Sequence, residues 1–166
     1  DGTGYYAIED GSIVRYTLPQ RKAETLVPKA KLIPPGAEKP LSVRSFQFSE
    51  DGKQMLVFTN TRKVWRYHTR GDYWLMNIAS AQLRQLGKGL PEASLMFAKF
   101  SPDGKQAAYV SEHNIFVEDL ASGKIKRLSD PKGTRKLING TFDWVYEEEF
   151  DCRDGFRWSI HCSLFG

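Results

Sequence analysis

The stretch FQFSEDGK (residues 46–53) returns further along the chain as AKFSPDGK (residues 98–105). Each copy reads as an apolar strand ending in Phe-Ser, an Asp-Gly turn, and the start of a second apolar strand. Asp-Gly between alternating apolar runs is a strong hairpin signal. Phe48 and Phe100 stand 52 residues apart. A second element repeats between them: YWLMNIASAQLRQL (73–86) matches IFVEDLASGKIKRL (115–128), and residues 13–26 match both more loosely. A third strand end, Phe156-Arg-Trp-Ser159, lies one further repeat beyond Phe100. The unit is therefore four strands joined by hairpin turns and repeated at roughly 50–60 residues, the pattern of a β-propeller blade with insertions.

Outward from this repeat, the rest of the chain follows a period of two. Strand-like segments lie near 4–8, 12–18, 44–49, 54–59, 72–78, 82–86, 96–101, 106–111, 114–120 and 124–128, and no long amphipathic helix interrupts them. Such spacing excludes a βαβ architecture and predicts an all-β fold. It gives the outer half of one blade (1–27), two whole blades (about 43–88 and 95–129) and the start of another. The Pro-rich stretch 28–40 reads as a connector, because proline cannot sit in a central strand. The expected architecture is a partial β-propeller, an arc of about three four-stranded antiparallel blades over residues 1–159. Closed propellers typically have about four to eight blades, so the arc, which opens on Asp1-Gly2, reads as a piece of something longer.

Composition narrows the function classes. Apolar residues make up 40% and charged residues 27% of the 166, with a formal charge of +4, which suits a globular domain. The densest basic run, Arg62 to Arg70, carries aromatics that in principle suit a phosphate backbone. No nucleic-acid motif surrounds it and acidic residues are nearly as numerous, so no nucleic-acid partner is expected. Cys152 and Cys162 lack metal-ligand spacing and do not make a disulfide framework. No apolar run approaches the ~18 residues of a membrane span.

Function tends to sit where a blade departs from its repeat, and two departures stand out. The first, Thr59 to Asp72, lengthens the middle blade with Arg62, Trp65, Arg66, Tyr67 and His68. The second, Asn139 to Gly155, carries DWVYEEEF (143–150), with three adjacent carboxylates at Glu147, Glu148 and Glu149. Asp143 is placed to cap a short helical turn, with Glu147 on the next one. A run of like charges is usually a solvated turn. A Ca²⁺ site from Glu147, Glu149 and Asp151 lacks the D-x-D-x-D-G loop, and no cofactor is expected. Trp65, Tyr67, Trp144 and Tyr146 read as packing residues, His68 and His113 as surface histidines, and Arg66 as a stacked surface arginine in a strand.

The string Asn139-Gly-Thr-Phe-Asp-Trp-Val-Tyr-Glu-Glu-Glu-Phe150, followed by Phe156-Arg-Trp-Ser159, resembles dipeptidyl peptidase IV and its bacterial relatives in the prolyl oligopeptidase group of serine peptidases. The resemblance extends back through Val64-Trp-Arg-Tyr67 and the blade repeats, over residues 4 to 159. It implies an N-terminal propeller covering an α/β-hydrolase domain, with release of X-Pro or X-Ala dipeptides from free peptide N-termini. By motif, it implies that Glu148 and Glu149 hold the substrate α-ammonium. It implies that Arg66 binds the substrate's backbone carbonyl and supports the glutamates. The partners it implies are a peptide with a free N-terminus, the hydrolase domain of the same parent chain, and a second copy of that parent in a homodimer. The compartment it implies is periplasmic or cell-surface. No G-x-S-x-G elbow occurs in the 166 residues, so no catalytic residue is assigned and the chain alone is expected to be inactive. The alternative, from a different class, is a non-catalytic propeller acting as an interaction module.

After Ser159 the repeat predicts Pro-Asp-Gly-Lys. The sequence reads Ile160-His-Cys-Ser-Leu-Phe-Gly166 instead, a tail that departs from both repeat and resemblance and reads as truncated or frame-shifted.

Overall fold

A computed structural model describes residues 2–160 and the backbone of residues 164–165. Three antiparallel blades follow one another along the chain. β1 (Gly4–Glu9), β2 (Ser12–Thr17) and β3 (Lys22–Val27) form the first. β4 (Ser45–Phe48), β5 (Gln54–Val64), β6 (Tyr67–Asn77) and β7 (Leu83–Gln85) form the second blade. β8 (Leu95–Phe100), β9 (Gln106–Ser111), β10 (Asn114–Asp119) and β11 (Ile125–Arg127) form the third. The second and third blades are also hydrogen-bonded to each other where Arg70 and Gly71 of β6 pair with Met96 and Leu95 of β8. A Cβ at position 71 would stand 2.6 Å from both the Phe58 ring and the Thr59 carbonyl oxygen, so only glycine lets β6 pass there.

The repeated sequence makes repeated turns. Ser49 Oγ donates to Asp51 Oδ1 at 2.7 Å and accepts from the Gln54 amide at 3.0 Å. Ser101 does the same with Asp103 and Gln106, at 2.6 and 3.0 Å. Asp51 and Asp103 accept from the amides of Lys53 and Lys105, while Gly52 and Gly104 supply the positive φ. Farther out, Asn77 and Asp119 accept from the Ser80 and Ser122 amides.

The core lies between sheets. Ile13, Val27, Met55, Val57, Met76 and Leu83 join the first sheet to the second. Leu32, from a short 3-10 turn (Lys29–Leu32) in the Pro-rich connector, is fully buried among them. Leu56, Leu86, Leu95, Phe100, Ala107 and Tyr109 join the second to the third. A polar latch crosses the same boundary. Glu118 is fully buried and accepts from the Tyr109 hydroxyl at 2.8 Å, the Gly87 amide at 2.9 Å and the Arg84 guanidinium. The guanidinium also reaches the Leu120 carbonyl oxygen at 3.1 Å. Every member of the network has a partner, which is what a buried carboxylate requires.

The arc is open, a partial propeller of three blades, as the repeat predicts. The structure differs from the sequence reading in three places. The first sheet has three strands, because Lys22–Val27 pairs along β2 even though most of its side chains are exposed. The departure 59–72 does lengthen the middle blade, as a continuation of the β5–β6 hairpin closed by the turn at Trp65 and Arg66. Arg66 therefore stands in a turn and not in a strand. Trp65, Tyr67, Trp144 and Tyr146 are not core packing residues: each is close to half exposed or more. The tail Ile160–Gly166 lies mostly outside the described residues, and His161 and Cys162 lie wholly outside them. Within it Leu164–Phe165 (β13) pairs with Arg157–Trp158 (β12).

Candidate functional site

Residues 141–154 leave the third blade as a loop closed at its base. Thr141 and Asp154 form a β-bridge, and the Gly155 amide donates to the Gly140 carbonyl oxygen at 3.0 Å. Inside the loop, Trp144–Phe150 forms the helix α1. Asp143 caps it as its sequence position predicts, its Oδ1 accepting from the Tyr146 amide at 3.1 Å. At the other end Asp151 adopts a left-handed conformation, and the Cys152 amide returns to the Tyr146 carbonyl oxygen at 3.1 Å, a Schellman-type stop.

On a helix, successive side chains point about 100° apart. The three glutamates therefore meet three environments. Glu147 is buried and faces Arg153, its Oε1 lying 3.6 Å from Arg153 Nε. Burial pushes its carboxyl above the usual range, helped by Glu148 and Asp151 and opposed by Arg153. Glu148 is half-buried and forms an ion pair with Arg66, Oε2 to Nη2, at 2.8 Å. Glu149 is exposed and forms no ion pair with a described residue.

Arg66 comes from the tip of the β5–β6 hairpin. Trp65, beside it, has a positive φ of 55°, uncommon for a bulky residue. The Arg66 side chain is 74% exposed, so its pair with Glu148 adds only about 0–1 kcal/mol to stability. A guanidinium has five donors, and here Nη2 pairs with Glu148 on a side chain that is largely exposed. The site thus joins an exposed guanidinium, a paired carboxylate and a free carboxylate. Such a set suits a ligand carrying a cation next to a hydrogen-bond acceptor. Charge-assisted bonds of this kind are the strong ones.

Of the three site residues read from the sequence, the structure brings Arg66 and Glu148 into contact, and Glu149 follows Glu148 on α1 with its side chain exposed. A pocket of about 330 Å³ opens on the Glu147 side of α1, lined by Trp65, Arg70, His113, Trp144, Glu147 and Arg153 among others. Arg66, Glu148 and Glu149 are not on its wall. No three His, Cys, Asp or Glu side chains among the described residues converge as a metal-binding group. Arg153 was not legible as a site residue. It follows the helix stop, where no spacing rule connects it to Glu147 or to the distant hairpin.

Residues 49–163 match the family described as the dipeptidyl peptidase IV (DPP IV) N-terminal region. Among curated proteins, dipeptidyl aminopeptidase B of Saccharomyces cerevisiae is 34% identical over 118 residues, 71% of this chain and 14% of that protein. A probable dipeptidyl-aminopeptidase B of Uncinocarpus reesii is 32% identical over 110 residues, 66% of this chain and 12% of that protein. The crystal structure of Porphyromonas gingivalis dipeptidyl peptidase 4 superposes with a TM-score of 0.85 at 26% identity, covering 99% of this chain and 23% of that one. The chain thus spans less than a quarter of the length of the proteins it matches. Its repeat, its open arc and the match over residues 49–163 agree: the chain belongs to the dipeptidyl peptidase IV N-terminal region family.

Proposed function

We propose that this arc carries the substrate-recognition site of a dipeptidyl peptidase IV-like serine exopeptidase that releases X-Pro or X-Ala dipeptides. Glu148 and Glu149 bind the α-ammonium of a peptide with a free N-terminus, and Arg66 binds a backbone carbonyl. The nucleophile and its partners belong to an α/β-hydrolase domain of the same parent protein, a homodimer exported to the periplasm or the cell surface. The 166 residues alone bind but do not cut. Among the described residues no helix is long and apolar enough to cross a membrane.

The observation that carries this reading is the 2.8 Å contact between Arg66 and Glu148, with Glu149 left free beside it. An ammonium has three donors and the two carboxylates supply charged acceptors for them. The Arg66 guanidinium offsets their mutual repulsion and so favours the ionised pair. Holding the amine at a fixed distance from a nucleophile makes a ruler that counts two residues, which accounts for dipeptide release.

The test is an NMR titration of the isotope-labelled chain with Ala-Pro amide and with N-acetyl-Ala-Pro amide. The free amine is expected to shift Arg66, Glu148 and Glu149, and the acetylated compound to leave them in place. Equal binding of the two compounds would sink the amine-anchor reading and favour a non-catalytic interaction module. Truncating one partner of a desolvated charge pair costs about 2–5 kcal/mol, so Glu149→Ala is expected to weaken Ala-Pro amide binding by about 30-fold or more.

A further inference from the structure

The two elements that carry the proposed anchor come from distant parts of the chain, and their direct contact through Arg66 is exposed. A two-stranded ribbon is marginally stable on its own. The β5–β6 ribbon also loses register twice on the way to its tip, between Thr59 and Arg62 and between Arg62 and Lys63. Val64 leans on the core made by Met96, Val110 and Phe156, which steadies one strand at the base of the tip. Something further must hold the turn at Arg66 and the other strand, which begins at Tyr67.

Arg153 stands at that crossing. Its guanidinium lies 3.6 Å above the centre of the Tyr67 ring, and Tyr67 is the residue after Arg66. Its Nε faces Glu147 at 3.6 Å, and Glu147 is the residue before Glu148. Its Nη2 pairs with Asp151 at the helix stop. The side chain is only 21% exposed, against 74% for Arg66. Arg153 Nε and Glu147 Oε1 are both buried and have no hydrogen-bond partner, so charge rather than a bond directs each toward the other. One planar cation thus stacks on the hairpin and pairs twice with the helix segment. Stacking of this kind on Tyr, together with forked pairing, is open to arginine and not to lysine.

We infer that Arg153 is a positioning residue: it clamps the β5–β6 hairpin against α1 and so keeps Arg66 on Glu148. The clamp rests on the packing around Tyr67 and Glu147, and its consequence for a ligand rests on the amine-anchor reading. Arg153 does not touch the proposed ligand.

Two measurements on the whole 166-residue chain test it, hydrogen exchange of the peptide covering residues 62–70 and affinity for Ala-Pro amide. In Arg153→Ala, exchange over 62–70 is expected to quicken about tenfold while exchange over β9 stays unchanged, and affinity to fall about fivefold. Arg153→Lys keeps the charge facing Glu147 but loses the planar stack, and is expected to recover part of both effects. Unchanged exchange over 62–70 in Arg153→Ala overturns the clamp. Faster exchange with unchanged affinity overturns the positioning role and leaves a structural tie. If Ala-Pro amide fails to bind the unmodified chain, the amine-anchor reading fails, and exchange alone decides the clamp. Should Arg153→Ala loosen β9 as well, Tyr67→Leu removes the stack from the hairpin side and is judged by the same criteria.

Discussion

Two hairpin turns of one sheet are built on different principles. The turn at Asp51 and Gly52 satisfies itself: Ser49, Asp51, Lys53 and Gln54 close their hydrogen bonds among one another, and glycine takes the positive φ. The turn at Trp65 and Arg66 places a tryptophan at positive φ and directs Arg66 and Tyr67 toward partners on another element. The first turn recurs in the next blade, with Ser101, Asp103 and Gly104, and the second does not. A turn that closes on itself is portable and can be repeated. One that depends on a helix about 80 residues away is tied to that helix.

The contrast breaks if scaffold and site fail to separate in energy and binding. Arg84→Ala leaves Glu118 buried with Tyr109 and Gly87 as donors but no counter-charge. Removing one partner of a buried pair costs about 3–5 kcal/mol. Because the Arg84 side chain is 36% exposed, the lower end is expected: about 3 kcal/mol by urea denaturation, with Ala-Pro amide affinity unchanged. Glu148→Gln should do the reverse, costing no more than about 1 kcal/mol of stability because its Arg66 partner is exposed, and lowering affinity about 30-fold or more. Arg84→Ala weakening the ligand as much as Glu148→Gln would erase the distinction.

Smaller effects sharpen the same line. Gly52→Ala and Gly104→Ala each force a Cβ into the left-handed region and are expected to cost about 1 kcal/mol. The two values should agree within about 0.5 kcal/mol, since the turns are copies: a Cβ meets nothing within 4 Å at Gly52 and only ordinary contact with Ser49 and Gln54 at Gly104. Trp65→Gly relieves the same conformation and is expected to change stability by less than about 1 kcal/mol, because the ring it removes is 64% exposed. A clear loss of stability there would show that the tryptophan holds the tip.

Most of the scaffold was legible because its signals are local. Phe-Ser followed by Asp-Gly specifies a turn from adjacent residues, and period-two apolarity specifies the strands on either side. Strand β3 escaped because KAETLV exposes four of its six side chains and offers no apolar alternation; its backbone pairing with β2 makes it a strand. The added length at 59–72 was legible, but its strands were not, since Arg62 and Lys63 face solvent and break the apolar alternation. Asp143 was legible as a cap from its place ahead of the helix. The contact between Arg66 and Glu148 joins residues that no periodicity links, and only the resemblance paired them. Aromatics at 65, 67, 144 and 146 were read as packing because aromatic rings usually are, but a hairpin tip and a short surface helix leave each of them close to half exposed or more.

The carboxylates carry the comparison into pH. In the self-contained turns the shift is downward: the Lys53 amide and the Ser49 hydroxyl hold Asp51 below its usual range, and Ser122 does the same for Asp119. In the insertion the shift is upward, as burial raises Glu147. The signs have opposite consequences. For Asp51 the unfolded chain takes up its proton first as pH falls. Its contribution is present above the ordinary carboxylate pKa and is lost as pH drops through the depressed value. For Glu147 the folded chain keeps its proton longer as pH rises, so stability falls as pH climbs from the ordinary value through the raised one. Asp51→Asn should therefore destabilise at neutral pH and match the unmodified chain in strong acid. Glu147→Gln should match it in acid and lose less stability as pH rises through the raised pKa, an effect opposed by the loss of its charge facing Arg153. Stability curves at several pH values, with carbon NMR titration of both side chains, check the two signs. If Glu147 titrates below the ordinary range, Arg153 outweighs burial, and the insertion is held as tightly by charge as the repeated turns are by their hydrogen bonds.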